Sequence, residues 1–263
     1  MLLPKSMVDG GLALRMYLMV RVIIFLSKIF LIFVLSFILV NCSDIKNKKN
    51  LSWDQVARKE MVQYQIIARG ITNKKVINAM LEVERHKFVP EKLEKLAYND
   101  YPLPIGEDQT ISQPYIVALM TEKLNLKDGD KLLEIGTGSG YQAAILSLIV
   151  RLVYTIEIIP SLANSASQRL QEFGFSNVQV RCGDGFLGWP EAGPFDAVII
   201  TCAPPEVPEP LIKQLAEGGR LIVPLGDNFQ ILTLFKKVEG KFEKTEIIPV
   251  RFVPMKGMIE EQK

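Results

Sequence analysis

The sequence predicts an α/β domain built on a doubly wound, mostly parallel sheet, and three observations carry that expectation. Short apolar runs at 131–135, 152–156, 178–181, 197–201 and 220–224 alternate with helical stretches, the pattern of parallel strands joined by crossover helices. The first run feeds into a glycine-rich turn, Gly136-Thr137-Gly138-Ser139-Gly140, and then into a helix-forming segment. Two later runs, Gln230 to Val238 and Phe242 to Val250, flank Glu239-Gly240 and read as an antiparallel pair closing one edge of the sheet.

Upstream of the sheet the periodicity turns helical. Ser52 and Gln55 make a capping box, and the helix they open is expected to reach about Ala68, with Gly70 just beyond its end. A second helix, Asn73 to Glu84, puts Val76, Ala79, Met80 and Val83 on one face. From Ala97 to Gln113 prolines and a glycine forbid regular helix, so this stretch reads as a loop long enough to be functional. A helix then starts at Pro114, with Ser112 or Gln113 near its cap, and runs to about Leu124. The folded domain with these N-terminal helices is expected over residues 51–263.

Residues 1–50 are of a different kind. Val22 to Val40 is almost unbroken apolar sequence with Lys28 as its one charge, long enough to cross ~30 Å of hydrocarbon. The run reads as a leader or a membrane tether, followed by a polar, lysine-rich linker from Ser43 to Asn50. Leu39-Val40-Asn41-Cys42 resembles a lipoprotein cleavage box, which makes an exported lipoprotein processed at Cys42 the alternative. Lys46, Lys48, Lys49, Arg58 and Lys59 outnumber Lys5, Arg15 and Arg21 on the other side, which favours a domain facing the cytoplasm. A start at Met61 would leave the domain without the run.

Composition narrows the chemistry. A net charge of +2, from 31 basic and 29 acidic residues, gives no broad positive field, so nucleic acid is not the expected partner. Cys42, Cys182 and Cys202 form no C-x-x-C pair and His86 is the single histidine, so a zinc site lacks its ligands and no metal is expected. Cys182 and Cys202 end apolar runs and read as small buried hydrophobes. His86 reads as structural or surface-exposed, and Tyr98, Tyr101 and Trp189 as core residues sooner than pocket walls.

The glycine turn asks which ligand it serves. A dinucleotide fingerprint needs a third glycine where Tyr141 stands. The spacing present, Glu134 followed by Gly136, Gly138 and Gly140, is similar to motif I of S-adenosylmethionine-dependent methyltransferases. That resemblance implies a Rossmann-like class I methyltransferase sheet whose turn cradles the methionine part of the cofactor, with Glu134 close by. Glu157 ends the second strand, 21 residues after Gly136, where a carboxylate can accept both hydrogen bonds of a ribose diol. Asp184, inside Gly183-Asp184-Gly185, resembles the family's adenine-contacting acid, although turns use aspartate for local reasons too.

A more specific resemblance spans roughly Met61 to Met255. Gln109-Thr110-Ile111-Ser112-Gln113-Pro114-Tyr115, Arg85-His86-Lys87-Phe88-Val89-Pro90, Tyr98-Asn99-Asp100 before Leu103-Pro104-Ile105-Gly106, and Ala203-Pro204-Pro205-Glu206-Val207-Pro208 resemble the protein-L-isoaspartate O-methyltransferases. The resemblance implies methyl transfer to the α-carboxylate of L-isoaspartyl residues in damaged proteins and peptides, with repair through a succinimide. It implies substrate contacts at Thr110, Ile111 and Ser112, the Ser112 hydroxyl holding the carboxylate as a donor; without it, Ser112 reads as a helix cap. A monomer is expected, and because S-adenosylmethionine is made in the cytosol the catalytic domain is expected to face the cytoplasm. A carboxylate with a reference pKa near ~4 is already ionised at neutral pH, so the missing catalytic histidine is no objection. The competing readings are a methyltransferase of this fold acting on RNA or a small molecule, and a membrane-anchored binding protein without turnover.

Overall fold

The computed structural model describes residues 15–22, 25–29 and 51–262. The chain divides into two units, Met1–Trp53 and Asp54–Lys263. In the first, residues 15–22 and 25–29 are helical, and no helix among the described residues is long and apolar enough to cross a membrane. Most of the expected run from Val22 to Val40, together with Cys42 and the linker, lies outside the described residues.

The expected single helix at the start of the second unit is three windings in series. Helix α1 (Trp53–Glu60) passes into a π-helical turn, Met61–Ile66, and a 3-10 turn, Ile67–Arg69, before Gly70 stops it at φ 92°. The π-helical turn buries Met61, Val62 and Ile66. Helix α2 (Lys74–Glu82) is capped by the Asn73 side chain, which accepts from the Lys75 and Val76 amides, and it buries Val76, Ala79 and Met80 as its periodicity predicts. The stretch expected to be an irregular loop contains a hairpin, β1 (Leu103–Gly106) against β2 (Gln109–Ile111). Proline excludes helix but not an edge strand, and Pro104 sits at an exposed position of this two-stranded ribbon. Helix α3 (Pro114–Lys123) follows at once, with Gln113 at its cap position making no side-chain capping bond.

The main sheet is the doubly wound one expected. Strands β3 (Lys131–Ile135), β4 (Leu152–Glu157), β5 (Val178–Cys182), β6 (Phe195–Ile200) and β7 (Leu215–Leu225) pair in parallel in the order β5-β4-β3-β6-β7. Strands β8 (Gln230–Val238) and β9 (Lys241–Val250) add antiparallel at the β7 edge. Crossovers are made by α4 (Tyr141–Ser147), α5 (Pro160–Glu172) and α6 (Glu209–Lys213). Alternate residues of the central strands feed two apolar clusters: Leu132, Val153, Ala197, Ile199 and Ile222 belong to one, and Leu133, Ile156, Val198, Ile200 and Val223 to the other. The strand order reverses at β3, between β4 and β6, which opens a crevice at their carboxyl ends.

One buried cation ties the N-terminal helices to that crevice. Arg85 is fully enclosed, donates from Nε to the Ala97 carbonyl and from Nη2 to the Ser112 carbonyl, both at 2.7 Å, and lies 4.8 Å from the Tyr141 ring centre. It clamps both ends of the 97–112 segment. Burial lowers its guanidinium to about 10, still charged at neutral pH. Replacing Arg85 with Met keeps the volume but leaves two carbonyls without donors, each costing about 1–3 kcal/mol. Denaturant unfolding of Arg85→Met is expected to show a loss of about 2–4 kcal/mol; a loss below about 0.5 kcal/mol would contradict the clamp.

Candidate active site

The crevice is a pocket of about 810 Å³ including its mouth. Its floor is the carboxyl edge of three strands: Ile135 from β3, Ile156 and Glu157 from β4, and Thr201 just past β6.

The glycine turn shapes one wall. Gly136 has φ 95°, and a Cβ there would stand 2.5 Å from the Thr201 hydroxyl oxygen. Only hydrogen fits. That hydroxyl faces the carbonyls of Ile135 and Gly136 at 2.9 and 2.7 Å, donating across from β6 to the start of the turn. Gly138, at φ 53°, donates its amide to Glu157 Oε2 at 2.8 Å, while Oε1 of the same carboxylate accepts the Ile159 amide at 3.0 Å. Glu157 is thereby fixed at the pocket floor with each oxygen retaining one acceptor site, the arrangement a vicinal diol requires.

Three expected contacts stand behind the wall. Gly140 adopts φ 87° at the start of α4, and a Cβ there would meet Leu170 of α5 at 3.3 Å, so its smallness serves helix packing. Glu134 is sealed beneath the pocket, with Thr155 donating to Oε2 at 2.6 Å and Oε1 unpartnered among the described residues. Burial pushes its carboxyl up to about 8, against the Thr155 bond and reinforced by the charge of Glu157. Asp184 commits its two oxygens to the amides of Phe186 and Met258, each at 2.8 Å, and its neighbour Gly185 lines the pocket instead.

Gln109, Thr110, Ile111 and Ser112 form the opposite wall. Thr110 is exposed, Ile111 is buried as the anchor of the hairpin, and Ser112 is half-buried. The Ser112 hydroxyl makes no hydrogen bond to the described residues and is not the cap of α3, so the capping role does not account for it. Gln113 secures the segment from the other side, donating to the Asp100 carbonyl and carboxylate at 2.9 and 2.8 Å, and Arg69 pairs with the same carboxylate. The first turn of α3 offers little beside Ser112, since Pro114 lacks an amide and the Ile116 and Val117 amides go to the Gln113 carbonyl.

Sequence reasoning missed several wall residues. Thr137 and Ser139 lie within the glycine motif and Gln142 just after it, but spacing alone assigns them no role, and Thr201 falls only at the end of an expected strand. Val253, Pro254, Met255 and Lys256 close the last side, pinned by the Ala203 amide to the Val253 carbonyl and the Met255 amide to the Ala203 carbonyl. Local pattern gave no sign that this distant segment folds back. Trp189 packs edge-on against Tyr154, Tyr98 is buried, and Tyr101 is exposed; none lines the pocket. His86 is half-buried, with Nδ1 2.8 Å from the Tyr98 hydroxyl. Cys182 corrects the expectation of burial: it is exposed, because β5 is the outermost strand of its side of the sheet. Cys202 lines the pocket, its thiol pushed up to about 12 by burial.

Known proteins resemble this chain in sequence and in fold. The family model for protein-L-isoaspartate(D-aspartate) O-methyltransferase matches residues 56–260. Protein-L-isoaspartate O-methyltransferase 1 of Nitrosospira multiformis is 53% identical over 208 residues, covering 77% of this chain and 88% of the relative. The enzyme of the same name from Syntrophobacter fumaroxidans is 52% identical over 204 residues, covering 77% and 95%. A solved protein-L-isoaspartate O-methyltransferase superposes with a TM-score of 0.70 at 32% identity, covering 77% of this chain and 67% of that one. A Plasmodium falciparum structure described under the same enzyme name, in complex with S-adenosyl-L-homocysteine, gives 0.67 at 27% identity and covers 78% and 99%. This chain belongs to the protein-L-isoaspartate(D-aspartate) O-methyltransferase family.

Proposed function

We propose that this chain transfers a methyl group from S-adenosylmethionine to the α-carboxylate of L-isoaspartyl residues in damaged proteins and peptides, opening their repair through a succinimide. The observation that carries the reading is a single cavity holding both the Gly136–Gly138 turn with Glu157 and the unbonded Ser112 hydroxyl. The pocket suits the cofactor: backbone comes close where a Cβ at Gly136 would collide, and Glu157 keeps two acceptor sites. When bound, S-adenosylmethionine supplies an electrophilic methyl carried on a sulfonium.

The chain's own residues then position and shield. Glu157 accepts the ribose diol. Ser112 donates its hydroxyl hydrogen to one oxygen of the substrate carboxylate, leaving the other oxygen to attack. Thr110 meets the peptide at the rim, Ile111 fixes the hairpin that carries both, and the exposed Lys256 supplies positive charge at the mouth. No side chain needs to take a proton, because the carboxylate is ionised at neutral pH with a reference pKa near ~4. Catalysis rests on alignment and on excluding water. Gly140 and Asp184 support the site from behind, the first through α5 and the second by joining the turn after β5 to the C-terminal segment. The same reading puts a monomeric catalytic domain on the cytoplasmic side, where S-adenosylmethionine is made, with the Val22 to Val40 run as its tether.

Two measurements check this. An isoaspartyl peptide is expected to accept methyl while its normal aspartyl twin does not, and Ser112→Ala should lower kcat/KM for the isoaspartyl peptide about 10- to 100-fold with cofactor affinity preserved; equal labelling of both peptides would defeat the reading. Protease added outside intact, wall-stripped cells should leave the domain whole, whereas its digestion there would favour the lipoprotein processed at Cys42.

A further inference from the structure

Glu134 sits wholly buried on β3 between β4 and β6, and its carboxyl leads to the pocket by one unbranched path. The Thr155 hydroxyl lies 2.6 Å from Oε2 of Glu134 and 2.6 Å from the hydroxyl of Thr137. Thr155 is fully buried, and Thr137 lines the pocket within the glycine turn.

Each hydroxyl has a single hydrogen to give. An ionised carboxylate only accepts, so Thr155 donates to Glu134, Thr137 donates to Thr155, and the Thr137 oxygen is left with lone pairs alone. A protonated carboxyl permits the reverse chain, in which Glu134 donates to Thr155, Thr155 to Thr137, and the Thr137 hydrogen is released. The methionine part of S-adenosylmethionine bears an α-ammonium, which requires acceptors.

We propose that Glu134 is a positioning residue that acts on the cofactor through Thr155 and Thr137, its ionised form presenting Thr137 as an acceptor for the α-ammonium. The proposal rests on the reading that this pocket takes S-adenosylmethionine. Packing alone does not explain the side chain, since a carboxyl with Oε1 unpartnered in a sealed site is costly compared with an apolar residue. The groups that act on Glu134 are Thr155 and Glu157, both from β4, while the β6 neighbour in register is the apolar Ile199. With its carboxyl pushed up to about 8, Glu134 loses its proton as pH rises through about 8, and the acceptor arrangement gains population in the same direction.

Calorimetry with two stable nucleosides tests this: S-adenosylhomocysteine, which has the α-ammonium, and methylthioadenosine, which lacks the amino-acid part. Wild-type affinity for S-adenosylhomocysteine is expected to rise about tenfold between about pH 6.5 and about pH 8.5, while that for methylthioadenosine stays level. Glu134→Gln and Thr155→Val should abolish the rise, and Thr155→Ser, which keeps the hydroxyl, should retain it; if Thr155→Val does not fold, the near-isosteric Glu134→Gln decides. A rise undiminished in Glu134→Gln, or an equal rise for methylthioadenosine, overturns the proposal. Failure of both nucleosides to bind the wild type overturns the cofactor reading itself, and this proposal with it.

Discussion

The hydrogen bond from the Gly138 amide to Glu157 Oε2 joins the turn after β3 to the end of β4, and the site depends on that junction. The turn takes left-handed backbone at Gly136 and Gly138, which glycine adopts at no steric cost. It is held from three directions: Ile156 accepts the Gly136 amide, Thr201 reaches across from β6, and Glu157 fastens Gly138. The same carboxylate that fixes the turn faces the pocket. The residue that holds the loop is therefore also one that lines the pocket, positioned by parallel strands whose alternate side chains feed the two apolar clusters of the sheet.

Around that junction the acidic residues divide by depth. Glu157 is at the floor with open acceptor sites; Asp184 stands to one side with its oxygens bound to backbone amides; Glu134 lies beneath, sealed. Sequence spacing places all three at strand ends, which is where the sheet delivers ligand contacts, but it does not say which way each side chain leaves the strand. The two walls differ in origin as well. One is the turn after β3, and the other is a short hairpin held by Arg85 and by the Gln113–Asp100 pairing, so the two walls have separate supports.

What the sequence makes legible follows from local rules. Parallel strands announce themselves as apolar runs, and a strand entering a glycine turn announces a ligand edge, so the sheet, its antiparallel end and Glu157 were expected where they occur. Ser112 was placed by motif. Elements without a local signature were hidden: nothing in the periodicity marks the π-helical turn at Met61–Ile66, and the hairpin at 103–111 comes from pairing that prolines masked. The wall formed by 253–256 comes from a segment more than a hundred residues beyond the turn it faces, brought there by backbone bonds to Ala203. Cys182 was misjudged for a related reason, since apolar neighbours in sequence do not reveal that their strand is outermost.

Where the nucleoside lies decides whether this pocket is the cofactor site. A crystal structure of the chain grown with S-adenosylhomocysteine measures this directly. The prediction is a ribose whose two hydroxyls meet Glu157, with the homocysteine part running along Gly136–Gly138 toward Ser112. Density for the nucleoside elsewhere on the sheet, or a ribose turned away from Glu157, would contradict it.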